Sequence, residues 1–357
     1  LNFRPEEWTN LRTALLLKMM AKMLSSGTER DLAYTNLKSV LTNAQINAIY
    51  PQVPDSLVPI VPKGTAFPKP VAQLKVPANA DSAYFDNKTT ATAFEELYKP
   101  NRDNGSNNWV VAGSKTESGA PILCNDPHLE LSLPSIWYEI QLTTPESNVY
   151  GASLPGSPFV IIGFNDSISW GVTNAQRDVK DYYAIKFRDD TKKEYWFNNE
   201  WKPVAQRIEE IKVKNGATIY DTVAYTVFGP VMHDNNFVDS IAHYNALAVR
   251  WVAHHTGDDG STFYKLNRSK NYSDYVEAIK TFECPGQNFV FASKSGDIAI
   301  WQQGKFPERW AGQGRYVMPG TDSSYFWPGF IPQPENPHAF NPARGFLESA
   351  NQRPVDA

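Results

Sequence analysis

The sequence predicts an α+β fold, with helices first and a core of stacked β-sheets after them. Three observations lead there. Apolar residues recur at helical spacing through the first 50 residues, about ten strand-like runs follow residue 106, and only two helical patterns interrupt those runs. The chain has 357 residues, a length that holds about two domains. Apolar residues make up 41% and charged residues 20%, the balance of a globular chain and not a disordered one.

The elements follow in order. Pro5 suits a first helical turn, and Trp8, Leu11, Leu15, Met19 and Met23 fall on one helix face. Ser25-Ser26-Gly27 breaks that pattern. Thr28 can cap a second helix with Leu32, Leu37 and Leu41 inward, and Thr42 a short third one through Ile46 and Ile49. Seven prolines between Pro51 and Pro77 predict an extended wrap, and residues 87–105 a polar linker. Strands are then expected at Trp137–Leu142, Val149–Ala152, Phe159–Phe164, Ser167–Val172, Tyr182–Phe187 and Ile208–Val213. Four more follow at Val223–Phe228, Ala246–Trp251, Gln287–Ala292 and Ile298–Gln302, the last two joined by a turn at Lys294–Asp297. Helices are expected near Ser261–Leu266 and Ser273–Phe282.

Composition narrows the function. The net charge is −4 without a basic stripe, which disfavours nucleic-acid binding. No apolar run has membrane-spanning length, and the residues from Leu1 onward do not read as a signal peptide. Cys124 and Cys284 form neither a disulfide framework nor a metal motif; Cys124, in a strand-like run, is expected to be a buried free thiol. The six histidines show no metal spacing. Gly151-Ala152-Ser153-Leu154-Pro155 lacks the final glycine of a nucleophile elbow. Abundant Trp and Tyr fit large sheets, or a carbohydrate platform built from Trp196, Trp201, Trp301 and Trp310. A non-catalytic binding module is therefore the alternative to an enzyme.

One seam carries chemistry. The polar segment Tyr98–Gly105 ends where an apolar strand begins, and Ser106 stands on the boundary. The strand Trp109–Ala112 turns through Gly113–Gly119 into Pro121–Leu123 and then Asn125-Asp126-Pro127-His128, a hairpin that returns His128 toward Ser106. A serine hydroxyl needs a base before it attacks an amide. A serine at a chain terminus carries one, its own α-amino group, which titrates near ~8. Gly105 would let the backbone adopt strained angles just ahead of Ser106.

Ser106-Asn107-Asn108-Trp109-Val110-Val111, Asn125-Asp126-Pro127-His128-Leu129 and Ser135-Ile136-Trp137-Tyr138-Glu139-Ile140 together resemble the start of the β chain in N-terminal nucleophile hydrolases of the penicillin-acylase type. The resemblance runs, with gaps, from about residue 5 to the end. Leu247–Trp251 and Pro285–Phe291 support it, and so does Phe228-Gly229-Pro230-Val231, although Phe228 replaces the usual histidine of that block. It implies part of an αββα sandwich preceded by helices of an α chain in residues 1–86. Residues 87–105 would be a spacer and residues 106–357 the start of the β chain. It further implies self-cleavage at Gly105–Ser106, association of the two chains as a heterodimer, and hydrolysis of a small N-acyl substrate through an acyl-enzyme on Ser106.

By the same carry-over His128 packs beside the nucleophile. The backbone N–H of Asn174 and the side chain of Asn351 donate to the oxyanion. An arginine that orients this asparagine would lie beyond Ala357. Calcium is expected at Glu29, Asp178, the Lys180 carbonyl and Asp181, oxygen ligands that suit a hard cation. The acyl pocket is aligned with Met23, Leu129 and Ile162, none aromatic, which predicts a pocket without aromatic walls and a preference for linear acyl groups over phenylacetyl. The resemblance also implies export, to a periplasm or beyond the cell, and a precursor longer than this chain. An uncut, inactive precursor fragment is a further alternative.

Overall fold

The computed structural model describes residues 6–25, 30–50, 58–69, 74–85, 105–129, 131–234 and 246–355. Three helices come first: α1 (Asn10–Ser25), α2 (Arg30–Lys38) and α3 (Asn43–Ile49). The expected cap of α3 forms: Thr42 Oγ1 accepts from Gln45 N while Gln45 Oε1 accepts from Thr42 N, a reciprocal capping box. Pro5 and Thr28 lie outside the described residues, as does the linker up to residue 104.

A seven-stranded antiparallel sheet forms the centre. Its order is His338–Phe340, Ile298–Gln303, Gln287–Ser293, Ile168–Asn174, Ile162–Asn165, Asn148–Ser153 and Tyr138–Thr143. All seven residues of Gln287–Ser293 are buried, because both faces of that strand are covered. Phe289 and Phe291 pack toward α4 (Asp259–Leu266) and α5 (Tyr272–Ile279), against Phe263, Leu266, Tyr275 and Ile279. Val290 and Ala292 pack the other way, against Val110 and Leu347 of a three-stranded sheet ordered Phe346–Ser349, Gly105–Val111, Ile122–His128. Helices on sheet on sheet make three layers of the sandwich among the described residues.

Polar side chains join the two sheets. Asn125 Nδ2 donates to Asn107 O and Val172 O, each at 3.0 Å, and its Oδ1 accepts from Val172 N at 2.7 Å. Asn108 Nδ2 donates to Asn288 O, and Asn288 Nδ2 donates to Thr173 Oγ1 and Ser349 Oγ, all at 3.2 Å.

A second core surrounds a six-stranded sheet, Ala205–Ile211, Ile219–Thr226, Gly229–Asp234, Ala246–Trp251, Lys180–Ala184 and Met318–Pro319. Aromatic residues fill it. Phe228 stacks on Tyr183 at 4.2 Å between ring centroids, so this departure from the family block serves packing. Trp310 is buried in the same cluster, and Trp301 is buried in the first core and stacks on His338 at 3.8 Å. Much of the aromatic wealth is thus core, and these two tryptophans form no surface platform.

Three expectations are corrected. The face of α1 carrying Leu11, Leu15, Met19 and Met23 is exposed, and Met20, Ala21 and Leu24 face the core instead. Residues 14–24 are apolar nearly all round the helix, so periodicity does not select a face. Cys124 is exposed, because its side of the hairpin faces away from the central sheet; Cys284 is the buried thiol. The strand expected at Phe159–Phe164 forms only as Ile162–Asn165.

Candidate active site

Gly105 and Ser106 open the first strand of the small sheet and pair with His128 and Pro127 of the returning strand. Alternation turns Ser106, Asn108 and Val110 toward the central sheet, and Ser106 is buried. Its backbone N–H donates to Asn351 Oδ1 at 2.7 Å, and its Oγ donates to Gly105 O at 2.6 Å. Asn351 has φ +66°, a left-handed conformation that asparagine tolerates better than most residues. Its Nδ2 donates to Asn174 O at 2.6 Å. Asn174 ends the strand Ile168–Asn174 and donates from Nδ2 to Leu24 O at 2.7 Å, which ties the last turn of α1 to the site. Ser106, Asn351 and Asn174 thus form one hydrogen-bonded chain that joins three segments distant in sequence.

His128 stands beside this chain without bonding to Ser106. Its Nε2 lies 2.6 Å from Asp126 Oδ2 and 3.5 Å from Asn107 Nδ2. A Cβ placed on Gly105 would lie 3.8 Å from His128 Nδ1 and 3.4 Å from Asn351 Oδ1, ordinary contacts. Gly105 lies in strand and has no positive φ, so the backbone strain expected there is absent.

Ser106 lies in the wall of a pocket enclosing about 660 Å³ of empty space, open solvent included. Leu129 and Ile162 line it. Met23 does not: it is 42% exposed, and α1 contributes Leu17, Met20 and Leu24. The expected lack of aromatic walls is also corrected, since Trp137, Phe263 and Phe282 line the same space. Two of these come from α4 and the stretch after α5, which no catalytic motif marks. The preference against phenylacetyl therefore no longer follows. The polar lining is Ser106, Asn174, Asp259 and Gln287. Asp259 Oδ1 accepts from Glu283 N at 2.7 Å and Cys284 N at 3.2 Å, and burial raises its carboxyl above the usual range.

Asp31, Asp178 and Asp181 form a cluster of acidic residues. Arg309 donates to Asp181 Oδ2 at 2.9 Å and to Asp178 O at 3.0 Å, and Trp327 Nε1 also donates to Asp181 Oδ2. Lys180 places its ammonium over the Tyr182 ring. Glu29 lies outside the described residues. The helical carboxylate seen here is Asp31, buried in the first turn of α2 and accepting from Tyr182 N at 3.3 Å. Burial raises its carboxyl well above the ordinary value, and the charges of Asp178 and Asp181 add to the shift. Asp31 Oδ1 and Asp181 Oδ1 are buried and accept no hydrogen bond among the described residues. Two orphaned carboxylate oxygens fit a hard cation. Arg309 supplies part of the charge balance, and no three acidic, His or Cys side chains converge as a ready cage among the described residues. The resemblance points to Glu29, two residues earlier; the sequence signal for Asp31 is its place in the first helical turn.

Similarity to known proteins extends along the chain. The penicillin amidase family profile matches residues 1–357. Acyl-homoserine lactone acylase QuiP of Pseudomonas fluorescens is 27% identical over 99% of this chain and 42% of its own length. Penicillin acylase 2 proenzyme of a Pseudomonas species is 28% identical over 70% of this chain and 32% of its own. The chain therefore spans less than half the length of these relatives. A thermostable penicillin G acylase from Alcaligenes faecalis superposes with a TM-score of 0.63 and 27% identity over 70% of this chain and 44% of that one. The α+β architecture is that of the N-terminal nucleophile hydrolases. With a match that extends over every residue, this chain belongs to the penicillin amidase family.

Proposed function

We propose that the protein is an amidohydrolase that cleaves N-acyl amide bonds through an acyl-enzyme on Ser106. The observation that carries this reading is Ser106 at the wall of a largely apolar pocket, with its nitrogen held by Asn351. In the first step Ser106 Oγ attacks the Gly105 carbonyl carbon, to whose oxygen it is already bonded at 2.6 Å. The Gly105–Ser106 C–N bond breaks as the Oγ proton passes to the freed nitrogen, an ester forms on Oγ, and water hydrolyses it to the Gly105 acid and the Ser106 hydroxyl. Ser106 is then the terminus of a β chain, its α-amine held by Asn351 Oδ1. Residues before the cut stay as an α chain, and the two form a heterodimer.

In turnover that free amine takes the Ser106 hydroxyl proton as Oγ attacks the acyl carbonyl. An amide side chain carries two N–H donors, so Asn351 Nδ2 can hold Asn174 O with one and the oxyanion with the other. The Asn174 N–H is the second proposed donor. Collapse expels the amine, which takes up the proton, and water then releases the acid. His128, held by Asp126, flanks the amine side of this path. Acyl side chains enter among Leu129, Ile162, Met20 and Leu24.

Calcium is proposed at the acidic cluster, held by Asp31, Asp178 and Asp181 with the Lys180 carbonyl. When bound it would supply charge balance to these carboxylates; no catalytic step passes through it. Among the described residues no helix is long and apolar enough to cross a membrane. Export to a periplasm or beyond is proposed on the family likeness, and recovery of the full-length protein solely with cytosolic markers would reject it.

The test is Ser106→Ala in the full-length protein. Intact mass and N-terminal sequencing should give two chains for the parent, one beginning Ser106-Asn107-Asn108-Trp109. The variant should stay uncut and release no product from a decanoyl anilide. Normal cutting of the variant, or undiminished hydrolysis, would reject Ser106 as the nucleophile.

A further inference from the structure

Two N–H groups in the pocket wall, Gln287 Nε2 and Trp137 Nε1, are buried and donate to nothing among the described residues, and of the two Gln287 lies nearer the reactive end. Gln287 opens the strand Gln287–Ser293, is 4% exposed and lines the pocket. Its Nε2 is buried and donates to nothing among the described residues. The nitrogens of nearby buried amides are tied, although the Gln303 oxygen is unpaired among the described residues. Asn288 Nδ2 bonds Thr173 and Ser349, Gln303 Nε2 bonds Phe282 O at 3.0 Å, and Asn174 Nδ2 bonds Leu24 O. Exchanging nitrogen and oxygen by a half-turn of the amide would put an unpaired acceptor in the same place. An amide kept dry and unpaired is unfavourable, and its place in the wall of a binding pocket puts the missing partner in the ligand.

Register fixes where on the ligand that partner lies. Gln287 is the antiparallel partner of Asn174. Such partners lie roughly 4.5–5.5 Å apart at Cα. Gln287 therefore stands beside the residue whose carbonyl holds Asn351, at the reactive end of the pocket. Asp259 in the same wall differs, because its Oδ1 is already filled by two backbone N–H groups. Beyond Gln287 the walls are aliphatic and aromatic, with Leu154, Ile161 and Phe263 among them.

We propose that Gln287 is a specificity residue. It donates a hydrogen bond to an oxygen carried by the acyl chain close to the scissile carbonyl, so the pocket selects oxygen-substituted acyl groups over plain alkyl ones. This rests on the reading of Ser106 as an acyl-transfer nucleophile and names the acyl class that reading would favour.

The probes are the decanoyl and 3-oxodecanoyl amides of one amine. Their binding is measured by calorimetry, which needs no turnover, on the full-length Ser106→Ala protein produced as two chains divided after Gly105, because the uncut variant keeps the preceding segment attached at the pocket wall. The 3-oxo amide should bind about tenfold tighter, the size of one net hydrogen bond. Gln287→Met and Gln287→Leu, neither with a hydrogen to donate, should each bring the ratio to about one. Because the ratio is read within each variant, a loss of folded protein cannot imitate the result. Equal binding of both amides to the Gln287 protein, a ratio unchanged in both variants, or no binding of either amide would overturn the proposal. Loss of the hydrolase reading would look different: the Ser106 protein would turn over neither amide while the binding ratio and its dependence on Gln287 persisted.

Discussion

Asn351 does two jobs with one amide. Its oxygen holds the nitrogen of Ser106 and its nitrogen holds the carbonyl of Asn174. Asn351→Ala would release both and remove the donor proposed for the oxyanion. The expected outcome is a fall of ~10²–10³ in kcat, the usual loss for one oxyanion donor, with folding intact by thermal melt. A kcat within threefold of the parent would remove Asn351 from the mechanism. At this scale the seam before an apolar strand marks Ser106 in the sequence, whereas Asn174 and Asn351 are marked only by the family resemblance. Ser106, Asn174 and Asn351 meet in space although 245 residues separate the first and last. Gln287 and Asp259 gave no such signal, since a glutamine in an apolar strand and an aspartate opening a helix are common. Met23 is placed in the pocket by the resemblance alone; on a helix apolar nearly all round, Met20 and Leu24 reach the pocket instead.

Elements meet where single residues leave room for them. At Gly171 a Cβ would fall 2.4 Å from Asn125 Oδ1 and 2.8 Å from its Cβ and Cγ. Asn125 cannot yield freely, because its amide bonds both sheets. Gly171→Ala should therefore push the small sheet from the central one at a cost of about 1–3 kcal/mol. Urea unfolding reads this as a lower midpoint at constant slope, and an unchanged midpoint would show that the sheets are not so closely set. The acidic cluster joins other elements, α2 to the strand Lys180–Ala184. If calcium neutralises it, free ion at about 100 times its dissociation constant adds about 2.7 kcal/mol. A chelator should then lower the melting temperature by several degrees and calcium restore it. No shift in protein shown metal-free by elemental analysis would reject the ion. Strand existence was legible from β-branched and aromatic runs, and the Ala246–Trp251 strand has the expected ends. Sheet membership was not, because pairing depends on partners far along the chain.

Across the whole molecule, residues before Ser106 are built into the part of the chain that comes after it. Ile60 and Val61 donate from their backbone to Arg353 O and Pro354 O, Val317 N donates to Thr35 Oγ1, and Tyr84 lies in the aromatic core with Tyr316 and Tyr325. Met20 is packed in the main core, and Leu24 accepts from Asn174. No composition rule reveals this interleaving; the resemblance supplied the order of the parts and the contacts supply the glue. If the chain cuts itself before Ser106 as proposed, these segments find each other beforehand as parts of one molecule, and folding is a first-order event. After such a cut the same contacts would have to be remade between two molecules, and reassembly would slow with dilution. Severing a single bond would thus turn folding into a step taken once. The unfolding midpoint of the cut protein should rise with protein concentration, as mass action requires of a two-chain complex. That of the uncut Ser106→Ala protein should stay fixed. Equal, concentration-independent midpoints for both would show that the early segments separate from the later ones without consequence.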